Sequence, residues 1–221
     1  MKPQKLFALA LTALLIGAHA HAADRLPAIP PAAYTDEQKK AAEEFQAARK
    51  RAVFGPFEPL MYSPQVMNQA RAMGDYLRYK SAVGNTLSEL AILITAREWS
   101  QDYEWQVHYP IAVQAGIKAE IADAIADGRR PRGMTEDEEM VYEFCTELQK
   151  NRRMSDRSFE RVERRFGQRG VVDLTGIVGY YTFLAMQLNV ARYPVSGQVK
   201  GLARLPEPAP APPTSARESG R

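Results

Sequence analysis

Glu104 and His108 stand four residues apart within LSELAILITAREWSQDYEWQVHYPIAVQAG, residues 87–116. On a continuous helix this spacing puts a carboxylate and an imidazole one turn apart on the same face, which Ile111, Ala112 and Ala115 extend. An acid beside an imidazole on an apolar surface can hold the ring in one tautomer and move its proton affinity across neutrality, as a proton shuttle requires. Glu89 is the second unusual group. At helical spacing its neighbours are Ile92, Leu93 and Ala96, so the acid points into apolar surroundings; desolvation would favour its neutral form unless it is paired, and the histidine is a natural partner. His108, Glu104 and Glu89 are therefore the candidate catalytic groups. Arg97 and Trp105 are the candidate substrate-binding groups, Arg97 as an anion clamp if it turns inward or as a salt-bridge partner of Glu98 if it does not. Each has a structural alternative: a histidine and glutamate that hydrogen-bond only to hold helices together, Glu89 satisfying a backbone group, and Trp99, Trp105, Tyr180 and Tyr181 as core packing.

The elements that must position these groups read as helices throughout. Thr35 with Gln38 forms a capping box opening a polar helix to about Arg51, and Thr135 with Glu138 forms another, to about Arg152. Ser63-Pro64 starts a helix to about Tyr79 with Val66, Ala70, Met73 and Leu77 on one face. Val53 to Tyr62, with its glycine and two prolines, reads as a loop. Leu87 to Trp99 is apolar on nearly every side, as in a helix buried in a domain interior. The helix from about Tyr103 ends at Gly116, with Pro110 expected to kink it just beyond the histidine. Lys118 to Asp127 closes at Gly128, a short basic helix runs from Ser155 to Phe166, and Val171 to Arg192 is the most apolar segment after the N-terminus. No alternating strand pattern and no repeat of fixed period is present, so the fold class is all-α. Asp173, Gln187 and Asn189 interrupt the last segment, which favours a core or subunit-interface helix over a membrane span.

Composition narrows the function classes. The chain has 221 residues, 45% hydrophobic and 25% charged, with a formal charge of +3. Lys2 and Lys5 precede an apolar run from Leu6 to Ala18 and a small-residue stretch with A-x-A sites ending at Ala20 and Ala22, the pattern of a secretory signal peptide over residues 1–23. Its removal takes two lysines and no acid, lowering the charge to +1, and takes His19 and His21, leaving His108 alone. A periplasmic or secreted location follows. Residues 24–34 read as an extended leader, 35–199 as the helical domain, and 200–221 as a Pro/Ala-rich disordered tail. A charge near zero argues against nucleic acid as a partner. Cys145 is alone, so neither an intramolecular disulfide nor a CxxC pair can form, and its place between Phe144 and Thr146 suits a buried apolar side chain. One histidine with scattered acids lacks a zinc ligand set, so no metal or cofactor is expected.

The sequence resembles the carboxymuconolactone decarboxylase-like family, which includes the alkylhydroperoxidase D-like (AhpD-like) proteins. The resemblance is carried by Glu89, the apolar helix to Ala96-Arg97-Glu98, Tyr103-Glu104-Trp105, His108, Ala115-Gly116 and the closing segment GVVDLTGIVGYYTFLAMQLN, residues 170–189; it covers about residues 60–195. It implies an AhpD-like helical domain assembling into a trimer or hexamer, with sites near subunit interfaces. In the peroxidase branch a CxxC occupies the positions that here are Gln101 and Glu104, so thiol exchange does not carry over. The decarboxylase branch implies acid and histidine groups that manage a proton while a carboxylate leaves an unsaturated lactone, without a cofactor and on a small carboxylated or lactone-like substrate. The alternative is a non-catalytic small-molecule-binding oligomer; peroxide reduction stands third, for want of the CxxC.

Overall fold

The computed structural model describes residues 25–195 and 202–204; the expected signal peptide, and the tail apart from those three residues, lie outside the described residues. Among these residues, eight α-helices follow a single 3-10 turn at Pro31–Ala33: α1 Asp36–Arg49, α2 Phe57–Leu60, α3 Pro64–Tyr79, α4 Asn85–Glu98, α5 Asp102–Gln114, α6 Ala119–Ala126, α7 Glu136–Asn151 and α8 Asp156–Ala191. Among the described residues there is no strand, and the architecture is all-α.

Local chemistry sets most of the helix ends. Both capping boxes form: the Gln38 and Glu138 amides donate to Thr35 Oγ1 and Thr135 Oγ1, each at 3.2 Å, and the side chains of Gln38 and Glu138 accept in return. At the end of α5, Gly116 takes φ +112°, so that the Ile117 amide donates to the Ala112 carbonyl and the Gly116 amide to that of Val113. This is a Schellman stop, which needs a left-handed residue after the helix. Gly167 (φ 69°, ψ 177°) breaks α8 just after Phe166, where the sequence suggests the end of a basic helix.

The core is built around α4, which packs on α3, α5, α6, α7 and α8. Every residue from Leu87 to Arg97 is buried, including Ser88, Glu89 and Thr95. A helix in that position has no solvent face, so any polar side chain on it must find a partner inside. The apolar segment of α8 has the length and composition of a membrane span, and half of its most apolar window is buried in the fold. Its interrupting acid, Asp173, is satisfied internally: it accepts from the Ala82 amide at 2.8 Å and the Tyr76 hydroxyl at 3.2 Å.

Several expectations differ from the fold. The segment read as a loop contains α2. Pro56 caps it with helical dihedrals, Pro59 sits in its first turn where no intrahelical donor is needed, and Phe57, Leu60 and Met61 bury against the core. On α3 the buried stripe is Met67, Ala70, Gly74 and Leu77, leaving Val66 and Met73 at 43% and 47% exposure. The stripe is shifted because Gly74 lies under the Tyr180 ring: a Cβ there would come within 2.3 Å of the Tyr180 hydroxyl. Helix α5 runs through Pro110 to Gln114, so the turn relating Glu104 to His108 is intact. Both ends of the described chain dock on the domain: the Arg25 amide donates to the Ala191 carbonyl, and Leu202 is buried with its amide donating to Asp102 Oδ1.

Candidate active site

Three helices bring four ionisable side chains into one line, three of them buried and Arg78 partly exposed. Glu89 comes from the middle of α4, His108 and Glu104 from the inward face of α5, and Arg78 from the last turn of α3. Glu89 Oε2 lies 2.6 Å from His108 Nδ1, and Glu89 Oε1 accepts from Arg78 Nε at 3.2 Å. On the far side of the ring, His108 Nε2 is 3.4 Å from Glu104 Oε2. Glu89, Glu104 and His108 are each no more than 4% exposed.

The bonding pattern assigns the roles of the two imidazole nitrogens. Nδ1 faces the Glu89 carboxylate, which is also charge-paired with Arg78, and Nε2 faces Glu104. Tyr181 packs edge-on against the ring, with centroids 5.2 Å apart, and fixes its plane. Glu104 is the incompletely satisfied member: its Oε1 is buried and has no hydrogen-bond partner among the described residues. Burial pushes the Glu104 carboxyl above its ordinary range, with His108 and Arg78 pulling the other way. Burial likewise raises Tyr103 to about 12 and moves Tyr181 well above the usual tyrosine value. A carboxyl held towards its neutral form beside an imidazole nitrogen places a proton donor next to a group able to take a proton.

Glu104 and His108 open onto a small cavity of about 50 Å³, walled also by Arg49, Arg78, Gly74, Tyr103, Tyr180 and Tyr181. Its α1 and α2 side is held firmly. Arg49 pairs with Asp75 at 2.9 Å and lies over Phe57, 4.5 Å from the ring centroid, while the Tyr103 ring presses on the backbone of Gly55.

Arg97 and Trp105 lie apart from this cavity. The Arg97 guanidinium donates to the Ala126 carbonyl at 3.2 Å and to Ser100 Oγ at 3.3 Å, tying α4 to the end of α6 rather than pairing with Glu98. Trp105 follows Glu104 by about 100° around α5 and packs on Tyr109, 5.9 Å between centroids. The expected substrate contacts of these two residues therefore have no counterpart in the cavity wall. Gln101 caps the Tyr103 amide and donates to Asn189 Oδ1 at 2.8 Å. Cys145 is fully buried on α7, away from the cavity, and burial raises its thiol. Among the described residues no group of three or more histidines, cysteines and acids is placed to hold a metal ion.

Arg78, Tyr103, Tyr180 and Tyr181 complete the wall without standing out as site residues in the sequence. Arg78 directly follows Leu77, the end of the buried α3 stripe, so a cation at the edge of that stripe was its only signal. The two consecutive tyrosines cannot share a face of one helix. One meets the imidazole and the other meets Gly74, a division visible only once the phase of α8 is known.

No family model and no curated protein matches the sequence. The fold does have solved counterparts. One is the AhpD core of an uncharacterised peroxidase-related protein from Ralstonia eutropha JMP134 (TM-score 0.63, 17% identity, 78% of this chain and 92% of that one). Another is an uncharacterised peroxidase-related protein from Silicibacter sp. TM1040 (TM-score 0.59, 14% identity, 76% of this chain and 87% of that one). The chain has the AhpD-core fold, as the resemblance implied.

Proposed function

We propose that the protein is a cofactor-free acid–base catalyst, working by proton transfer or decarboxylation on a small carboxylated or lactone-like molecule. The observation that carries this reading is the unpartnered Glu104 Oε1 on the cavity wall, beside an imidazole nitrogen whose ring is fixed from behind by Glu89. A buried unmatched oxygen costs about 1–3 kcal/mol, and Glu104 Oε1 differs from the other unmatched buried atoms, Asn68 Oδ1, Arg71 Nε and Arg97 Nε, in belonging to a residue that lines the cavity beside His108. An oxygen left free at a cavity is available to a ligand.

In this reading His108 Nε2 takes a proton from carbon next to a carbonyl, and Glu89 stabilises the imidazolium that results. Glu104 gives its proton to the developing enolate oxygen. When the substrate instead loses CO₂, the electron pair of the broken C–C bond passes into the enolate, Glu104 protonates the carbon, and solvent restores the Glu104 proton. Arg78 pairs with Glu89 behind the imidazolium, and Arg49 supplies a cation to the cavity for a substrate carboxylate. Gln101 and Glu104 stand where the peroxidase branch has its thiols, which supports proton chemistry over thiol chemistry. Export and assembly into a trimer or hexamer are part of the proposal.

The test follows deuterium incorporation and CO₂ release by NMR over a panel of unsaturated lactone acids and 3-oxo acids, with the full chain and with His108→Ala. Turnover that disappears in the variant while its helical circular dichroism is retained supports the assignment. Retained turnover overturns it, and ligand-induced thermal stabilisation without any product marks a binding protein instead.

A further inference from the structure

The reactive cavity is too small for the substrate class just proposed. Organic ligands occupy sites of roughly 300–1,000 Å³, and the space at Glu104 and His108 is about 50 Å³. A groove of about 520 Å³ lies immediately outside it, between α3 and α8. Val66, Ala70, Met73 and Phe183 give it apolar sides, and the amides of Gln65 and Gln69 stand at its edge.

One side chain belongs to both spaces. Tyr180 lines the cavity and the groove, and the α3 residues on either side of it divide accordingly, Gly74 inward and Met73 outward. The Tyr180 ring rests on the bare backbone of Gly74 and meets Tyr181 edge-on, 5.2 Å between centroids. Next to it on the groove side is Gly179, where an added Cβ would meet nothing within 4 Å, so there is open space for a displaced ring. The opposite wall lacks that freedom, since Arg49 is fixed by Asp75 and by the faces of Phe45, Phe54 and Phe57. Of the two walls, the one at Tyr180 is the one with open space beside it.

We propose that this groove is the outer half of the substrate site. It takes the apolar body of a small organic acid or lactone, and Tyr180 turns out over Gly179 to let the reacting end reach His108 and Glu104. The proposal rests on the acid–base reading for the identity of the inner end, but the groove and its gate are testable without turnover. The occupant is a small molecule because the groove shares a wall with the reactive cavity and has the volume such molecules need. A second copy of the chain seated there would close that wall instead.

The experiment measures how fast diethyl pyrocarbonate modifies His108 in the full chain, by peptide mass spectrometry, with and without phenylacetate as the probe ligand. Tyr180→Ala removes the partition, and Tyr180→Leu does so with a smaller void should the alanine variant unfold. Met73→Trp fills the groove from an exposed position. Opening the partition should speed modification about tenfold, the effect of lowering an access barrier by about 1.4 kcal/mol. Met73→Trp should cancel that gain, and phenylacetate should protect His108 unless Met73→Trp is present. Rates indifferent to position 180, or to position 73, overturn the proposal and put access at the Arg49 wall. A Met73→Trp chain whose oligomeric state changes while its modification rate does not makes the groove a subunit contact and overturns it equally. If access follows Tyr180 and Met73 but no substrate turns over, the groove stands and the acid–base reading falls. If turnover depends on His108 while access ignores both positions, the reverse holds.

Discussion

The ion pairs at the α7–α8 edge and those around His108 use the same residue types with opposite results. At the edge, Arg165 grips Asp137 through two bonds of 2.8 Å, and Glu143 is held by Arg130 at 2.9 Å and by Arg161. Each of these carboxylates has a guanidinium and open water beside it, and such pairs contribute about 0–1 kcal/mol each. At the centre, two carboxylates share one arginine and one imidazole, and Glu104 Oε1 has no partner among the described residues. The strength of individual pairs does not separate the two regions. What marks the buried one as a site is a deficit of partners in a place where that deficit is expensive.

The comparison breaks most severely if His108 is removed. His108→Ala should lower turnover by roughly a hundredfold to ten-thousandfold, the usual worth of a general acid–base group. It should also destabilise the fold by about 3 kcal/mol, because Glu89 Oε2 then has no partner inside α4's packing. Steady-state kinetics and denaturant melts measure the two separately. A variant that loses stability but keeps turnover would make the histidine a strut and the two clusters alike in function.

Next in size is Arg78→Met, which keeps the length of the side chain and removes the charge that faces Glu89. With that charge gone, Glu89 loses its cationic partner and its hold on the imidazole should weaken. Stability should drop by about 2–3 kcal/mol. Turnover should fall mainly in kcat, since Arg78 acts through Glu89 rather than on the substrate. An unchanged melting temperature would show that Glu89 and His108 are self-sufficient.

Much of this was legible before the structure, for identifiable reasons. Helix ends written in side-chain chemistry, such as Thr35 with Gln38, Thr135 with Glu138, and Gly116, were legible because their signals are local. Glu89 and His108 stood out because an acid among apolar residues must find a partner; that they touch depends on how α4 crosses α5, which spacing does not encode. Errors arose where tertiary contact overrides pattern. Gly74 was invisible as a contact because its value is the absence of a side chain under Tyr180, and α2 was hidden by prolines that usually interrupt helices. The charge of Arg97 does not say which groups it meets, and in the fold these are the Ala126 carbonyl and Ser100.

A smaller effect, opposite in sign, sharpens the contrast. Burial raises the Glu104 carboxyl above its unfolded value, so its protonated form is favoured in the fold; stability linked to it is complete below the unfolded value and declines as pH rises through the folded one. Glu104→Gln removes that decline. The variant should be more stable than the parent by about 1 kcal/mol at pH 8 and should gain little at pH 4, while its turnover falls. A stabilised, less active variant is the mark of a residue retained for chemistry. Equal melting temperatures for parent and variant at both pH values would remove Glu104 from the site.

The smallest expected effect is at the edge. Burial works to raise the Glu143 carboxyl, but the Arg130 and Arg161 guanidiniums outweigh it and hold the group below its ordinary range. Its contribution is therefore present above the unfolded value and is lost as pH falls through the folded one, the reverse of Glu104. Glu143→Gln should cost about 0.5–1 kcal/mol at neutral pH and low salt and should leave turnover alone. Raising the salt concentration to 1 M shortens the screening length to about 3 Å and should erase most of that difference. The loss caused by Arg78→Met should largely survive the same salt, because the acid of that pair is fully buried. Thermal melts of both variants at low and high salt decide the matter. If both losses were screened alike, burial would not distinguish the clusters, and the unmatched oxygen of Glu104 would lose its meaning as a signpost to the site.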